Sequence, residues 1–429
     1  MFPPKLETPE LDNLLRPAHL ENPHQVFMYL QENDAVHWNP NLNGWMVSRY
    51  DDVFELLQDP RLSSAAPFGY IFKRALSDEE RAAANYIRPY VEMSLLNMDP
   101  PEQKRQRTIL SQAFTARRLK QMRGGIEQIV NRTVDEIEMN GEVELIQQFA
   151  FPILFRIIFE LLGIPAEMEA EASALFHEGS SLVIKFNSLV RPEGSHLIKF
   201  ATNLQQTEKF LKPLVEQRRI HPTGDIISLM VEAEKKGDLS EKEIYVLCSQ
   251  LVFAAHETTA NAIGTGMLIL LRHQEQLASL LTNTESLSLA VEEILRYAAP
   301  GQMRPRIARE DMEIRGTHIQ KGERLFLILA AANYDAGHFH CPEQLDLARP
   351  KGDHIMTFGH GIHYCLGAAL ARMELEIVFP TLLQRLPGLR LAVPEVEWRP
   401  NFLLRGLVAL PLKFDPRVSA SNGNQAKGA

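Results

Sequence analysis

One stretch near the C-terminal end constrains this chain more than any other. Residues 358–367 read Phe-Gly-His-Gly-Ile-His-Tyr-Cys-Leu-Gly, and a helical pattern, Ala368-Ala-Leu-Ala-Arg-Met-Glu-Leu-Glu-Ile, follows at once. A loop punctuated by Gly359, Gly361 and Gly367 lets backbone approach a flat ligand closely and turns N–H groups towards one sulfur. Cys365 stands at the N-terminus of the helix that follows, where backbone donors favour thiolate over thiol. A single thiolate is one of the few axial ligands of haem iron. The bland reading is a buried cysteine in a glycine-rich turn, its sulfur acting only as a small apolar group.

A second constraint lies upstream. Leu239-Ser-Glu-Lys-Glu243 opens a helix in which Ser240 and Glu243 form a capping box, and apolar periodicity continues to about residue 272. Roughly thirty residues span about 45 Å, the width of a domain, so this helix belongs at the centre of a mainly α fold. In its middle lies Ala254-Ala-His-Glu-Thr-Thr259, a polar cluster in an apolar context. Thr258 there can simply back-bond to the carbonyl of Ala254. Further helices are expected over 25–33, 51–58, from 99 with Asp99 as N-cap, continuously over 126–162, in two or three pieces over 167–219, and over 286–298. Strand patterns at 35–38, 44–48, 312–314, 317–319 and 324–331, with turns at Gly316 and Gly322, make a minor β-rich lobe.

The cysteine loop resembles the haem-binding pattern of the cytochrome P-450 family, the haem-thiolate monooxygenases: Phe, two residues, Gly, one, His or Arg, one, Cys, one, Gly. Phe358, Gly361, His363, Cys365 and Gly367 fill it without a gap. The resemblance covers residues 20–414 as one domain, with 1–19 as an extension and 415–429 as a disordered tail. It implies a large helical domain with a small β lobe, haem b held between the long central helix and the cysteine helix, and O2 as co-substrate. Cys365 would be the axial metal ligand, with Phe358 shielding its sulfur. Gln103, Arg107, Arg306 and His363 would hold the propionates, Arg304 being the competitor of Arg306, and Ala254, Gly359 and Gly367 would border the cofactor. Glu257 and Thr258 fill the acid and alcohol positions that deliver protons on the oxygen side. Glu293 and Arg296, three apart on one helix face, with Arg349 downstream, match the family's structural Glu-Arg-Arg network.

Composition narrows the partners. The net charge of −9 over 429 residues argues against nucleic acid. Cys248, Cys341 and Cys365 are widely spaced and suit a reducing cytosol, so a cytoplasmic location is expected; a monomer is expected as well. The first residues, Met1-Phe-Pro-Pro-Lys-Leu-Glu-Thr-Pro-Glu, show no apolar run, so no membrane anchor is expected and the chain looks like the soluble bacterial type. Against that acidic balance, Lys104, Arg105, Arg117, Arg118, Lys120 and Arg123 fall in a stretch with no acidic residue between 103 and 123. A basic run is usually a solvated face; here it also suits docking of an acidic ferredoxin, because the chain has no flavin or iron–sulfur segment of its own.

The substrate is expected to be a hydrophobic small molecule, met by Phe68, Ile87, Leu95, Ala255, Thr259, Gln302, Met303, Leu403 and Leu404. The expected reaction is insertion of one oxygen atom from O2, by hydroxylation or epoxidation in secondary metabolism. Rival readings are a haem-thiolate peroxygenase or isomerase, against which the Glu257–Thr258 pair argues, and a non-catalytic haem-binding protein.

Overall fold

A computed structural model describes residues 11–65, 76–187, 193–282, 287–350 and 352–416. The helices that build the site are α1 (Asp78–Glu92), α2 (Glu102–Ser111), α3 (Ala116–Ile137), α4 (Phe151–Leu162), α5 (Glu169–Asn187), α6 (Gly194–Ile220), α7 (Glu241–Arg272), α8 (Leu287–Tyr297) and α9 (Ala368–Arg385). The expected capping box starts α7: Ser240 accepts from the Glu243 N–H while Glu243 accepts from Ser240. From there α7 runs 32 residues through the middle of the molecule, packed against α4, α5, α8 and α9. Its face rotates past a different neighbour at each turn, so nearly the whole circumference is buried.

The β lobe is a five-stranded sheet in the order β1 (Val36–Asn39), β2 (Gly44–Val47), β8 (Arg324–Leu327), β5 (Arg304–Ala308), β3 (Leu62–Ser63). The β2–β8 pair is parallel and the others are antiparallel. Register sets Arg304 opposite Leu327 and Arg306 opposite Leu325. Two residues apart on one strand, the two arginines point to the same face. The hairpin of β6 (Met312–Ile314) and β7 (Thr317–Ile319) forms as its turn glycine requires, Gly316 standing at φ +80°.

Three expectations are corrected. The helix over 126–162 is broken: Gly141 turns at φ +75°, β4 (Glu142–Glu144) pairs with β10 (Pro411–Lys413), which pairs on its other side with β9 (Arg390–Leu391), and a wide-turned segment, Leu145–Ala150, leads into α4. Helical spacing on both sides hid a break that a distant strand stabilises. Asp99 does not cap α2, which begins at Glu102; its carboxylate instead accepts from Ser63 Oγ and the Ser64 N–H and pairs with Arg309 at 2.6 Å. The 324–331 strand ends at Leu327, because Leu329–Ala332 turns into a short helix. Residues 145–162 are long and apolar enough to cross a bilayer, and 72% of them are buried inside the fold.

Candidate functional site

The cysteine loop is held from three sides. Inside it, the Cys365 N–H donates to Phe358 O at 2.9 Å, and Gly359 and Gly361 take φ of +69° and +71°. A Cβ on Gly361 would lie 2.9 Å from Gln58 Cγ, so conformation and space both demand glycine there. From α2, Gln103 Nε2 donates to Ile362 O and Arg107 Nη2 to Tyr364 O, each at 2.7 Å. From α9, the Arg372 guanidinium lies 4.3 Å from the Phe358 ring centroid. Gly367, the residue before α9, needs no special backbone, and a Cβ there would meet nothing within 4 Å, leaving room beside the sulfur. Burial pushes the Cys365 thiol above its ordinary range; the Gly367 N–H and the Arg304, Arg107 and Arg372 charges oppose this without overcoming it.

Basic groups converge around that cysteine. Arg306 is buried, burial lowers its pKa to about 10, and its Nη2 has no hydrogen-bond partner among the described residues. His363, lowered to about 4 by burial and then by Arg306, has an equally orphaned Nε2. Arg304 bonds only to the carbonyl of Met303, at 3.1 Å, and forms no ion pair with a described residue. Orphaned buried donors are costly unless something accepts from them. Carboxylates brought by a ligand would do so, and two haem propionates fit this donor set. Gln103 and Arg107, expected at the propionates, spend a donor each on the loop carbonyls.

On α7 the polar cluster divides between faces. Thr258 Oγ1 donates to Ala254 O at 2.8 Å, and both residues stay accessible. Glu257 is 2% exposed and forms an ion pair with Arg399. Burial raises its pKa, opposed first by Arg399. His256 lies 3.9 Å from the same carboxylate, is lowered to about 4 by burial, and stacks on Phe155 at 4.4 Å. Thr259 turns to the other side, against Glu374 of α9, whose carboxyl is pushed up to about 8 by burial and is lowered by the Thr259 hydroxyl. Sequence reading missed both Arg399 and Glu374. A carboxyl inside the apolar run Met373–Leu375 was a visible signal for Glu374; nothing local marked Arg399.

The expected substrate contacts fall into separate groups. Gln302, Met303, Leu403 and Leu404 come together, since the Gln302 N–H donates to Leu403 O at 2.9 Å and Gly301 bridges Leu404. Leu95 and Ala255 belong to the same apolar cluster as Cys365. Ile87 instead packs with Leu182, Phe186, Leu197 and Phe200 between α1 and the α5–α6 pair, and Thr259 faces α9. Phe68 lies outside the described residues, as do residues 190–192, within the stretch 190–194 where the sequence Val-Arg-Pro-Glu-Gly is expected to separate two of the helical pieces over 167–219.

The Glu-Arg-Arg set assembles fully. Arg296 donates to Glu293 at 2.7 and 2.8 Å and to the carbonyls of Asn333 and Pro342, while Arg349 Nε reaches Glu293 at 2.9 Å. Arg296 is 1% exposed, so removing one partner would strand a buried charge at about 3–5 kcal/mol. In the basic stretch, Arg105 is taken up by Glu243 at 2.5 Å, Arg118 by Gly224 O, and Arg123 by Glu127 and Glu376. Lys104, Arg117 and Lys120 are exposed and form no ion pair with a described residue.

Comparison with known proteins agrees with this geometry. The family model described as Cytochrome P450 matches residues 13–287 and 278–414. The polyketide biosynthesis cytochrome P450 PksS of Bacillus subtilis is 36% identical over 405 residues, covering 92% of this chain and 96% of the relative. The 6-deoxyerythronolide B hydroxylase of Saccharopolyspora erythraea is 33% identical, covering 87% and 91%. The crystal structure of P450BioI in complex with an acyl carrier protein ligated to hexadec-9Z-enoic acid superposes with a TM-score of 0.84 at 33% identity, covering 93% of this chain and 99% of that one. A mainly helical frame around one cysteine loop, an acid–alcohol pair on the central helix and relatives matched over nearly their whole length lead to one conclusion: the chain belongs to the cytochrome P450 family and is one of its monooxygenases.

Proposed function

We propose that this monooxygenase holds haem b on Cys365, with Arg306 and His363 as the principal propionate donors, and hydroxylates a hydrophobic secondary metabolite. The observation that carries the cofactor assignment is the pair of buried nitrogens without a partner among the described residues, Arg306 Nη2 and His363 Nε2, with His363 two residues from Cys365 and under the influence of Arg306. Haem bound there supplies the activation of O2. The protein's own part is electrostatic and positional. Arg107 and Gln103 fix the loop that carries the sulfur, Phe358 covers it, and Arg304 adds a further cation for a carboxylate of cofactor or substrate. Glu257 and Thr258 move protons on the far side, with apolar neighbours keeping bulk water out.

The substrate class is supported by two apolar groups of side chains, Met303 with Leu403 and Leu404 beside Gln302, and Leu95 with Ala255 in the cluster that contains Cys365. Two compared proteins point the same way: PksS is named for polyketide biosynthesis, and the Saccharopolyspora enzyme for a hydroxylation of 6-deoxyerythronolide B. Electrons come from an external ferredoxin at the cysteine side of the molecule. Lys104, which shares a surface cleft with Ile362, offers charge there, Arg117 and Lys120 continue the basic stretch on the next helix, and Ile362, 46% exposed in the loop itself, offers an apolar centre. The enzyme works as one unit over 20–414, as a monomer in the cytoplasm.

The test of the assignment is spectral. The reduced protein under carbon monoxide should give the strongly red-shifted Soret band of thiolate-ligated haem, and Cys365→Ala should lose it. Retention of that band in Cys365→Ala would falsify the ligand assignment.

A further inference from the structure

The C-terminal hairpin joins two parts of the site that lie far apart in sequence. Trp398 bridges Leu407, and the Arg399 N–H donates to Gly406 O at 2.9 Å, so the arms are paired. At the tip, Asn401 Oδ1 accepts from the Leu403 and Leu404 N–H groups at 2.9 and 3.0 Å. That tip pairs with residues 301 and 302 and forms part of the substrate wall. The base of the hairpin rests on the middle of α7. A Cβ on Gly406 would come 2.0 Å from Asn261 Oδ1, and the Arg399 guanidinium pairs with Glu257.

The Glu257 side chain is 3% exposed while that of Arg399 is 22% exposed. The cation therefore stands between the acid and solvent. It lies 6.0 Å from the Phe151 ring, and Phe151, Phe155 and His177 line a surface cleft of about 540 Å³. The charged and titratable groups acting on Glu257 are Arg399 from the hairpin, His177 from α5, and His256 of α7 itself; Asn261 and Thr258 are its polar neighbours on that helix, α4 contributes Phe151 and Phe155, and Arg156 of α4 and Glu169 of α5 line the same cleft. No second carboxylate shares Arg399 among the described residues. A buried carboxylate with one firm counter-ion keeps its charge only while that ion stays in place. Ala254 and Thr258 remain accessible on the face that Glu257 avoids.

We propose that Arg399 is a positioning residue: it holds the Glu257 carboxylate ionised and turned from the cavity, and substrate against the hairpin tip sets how firmly it does so. Substrate that displaces Leu403 and Leu404 moves the strand carrying Arg399 and frees the acid to pass protons towards Thr258. Proton supply is thereby tied to an occupied pocket.

Infrared titration of the haem-loaded protein tests this without turnover. A carboxyl band absent from Glu257→Gln identifies the acid. Arg399→Met should move its midpoint to higher pH, and Arg399→Lys should keep it near the wild-type value. Adding a substrate that changes the iron spin state should move the midpoint in the wild type but not in Arg399→Met. An unmoved midpoint in either comparison overturns the proposal. Only the last arm rests on the monooxygenase assignment. In turnover, Arg399→Met should lose, several-fold, the dependence of NADPH consumption on added substrate, the reducing equivalents leaving as hydrogen peroxide when the pocket is empty and substrate affinity staying unchanged, and Arg399→Lys should keep most of that dependence. Equal losses in both variants would mean that the hairpin is merely structural. A wild type that titrates as expected yet oxidises no substrate would count against the enzymatic reading and leave the positioning role standing.

Discussion

Thr258 shows how one residue can satisfy both a structural and a chemical reading. Its hydroxyl donates to Ala254 O at 2.8 Å, which is the ordinary way a threonine settles inside a helix. That bond uses its proton but leaves oxygen lone pairs free on an accessible face. Thr258→Ala removes the relay while leaving the helix and the cysteine loop alone. Haem content and substrate affinity should be unchanged. Product per NADPH should fall, by on the order of ten-fold, if the hydroxyl carries a proton-transfer step. Unchanged coupling would remove Thr258 from the chemistry and leave only the helix bond. Glu257, one residue away, differs because burial and Arg399 decide its state, neither of which the adjacent residues reveal.

At the scale of elements, the start of α7 is where stability responds to acid. Burial pushes the Glu243 carboxyl up, but donors from Gln106, Arg105 and Ser240 outweigh it and hold the pKa at about 2, against an ordinary 4.5. Gln106 and Arg105 tie α7 to α2, the helix that also grips the cysteine loop. A carboxylate lowered on folding contributes stability that is complete above pH 4.5 and is lost as pH falls through about 2. Glu243→Gln should therefore cost roughly 2 kcal/mol at neutral pH, below the full value of the shift because Arg105 is partly exposed. The gap between variant and wild type should shrink in urea titrations run from pH 5 downwards. A constant gap across that window would assign the cost to lost packing rather than to charge.

At the scale of the whole molecule, the question is how an acidic protein meets its electron donor. Helix packing has sorted the basic stretch: Arg105, Arg118 and Arg123 are engaged within the fold, while Lys104, Arg117 and Lys120 face solvent. Reversing Arg117 and Lys120 to Glu alters the exposed charge of this stretch without touching any group assigned to the cysteine loop or to the polar cluster of α7. Reduction by a ferredoxin should slow with a shallower dependence on salt, since opposite charges steer encounter over about 8–10 Å. Turnover driven by added peroxide should stay at its wild-type rate. Equal loss in both assays would indicate a damaged fold, and no loss in either would mark the stretch as a solvated face.

Local chemistry fixed much of this protein before any folding. The capping box and the apolar period of α7, the glycines of the cysteine loop, the β6–β7 turn and the Glu293, Arg296 and Arg349 set all rest on residues near in sequence or on a pattern that the family shares. Contacts with distant residues decided the rest. Asp99 left its expected capping position because Ser63, Ser64 and Arg309 offered better partners, and the 126–162 run broke because β10 arrived to pair with β4. The partner of Glu257 stands 142 residues away on a hairpin with no motif of its own. A sequence states which groups can ionise or bond; which buried charge finds which counter-ion is settled only when the chain closes and water leaves, because that is when an unpaired group becomes costly.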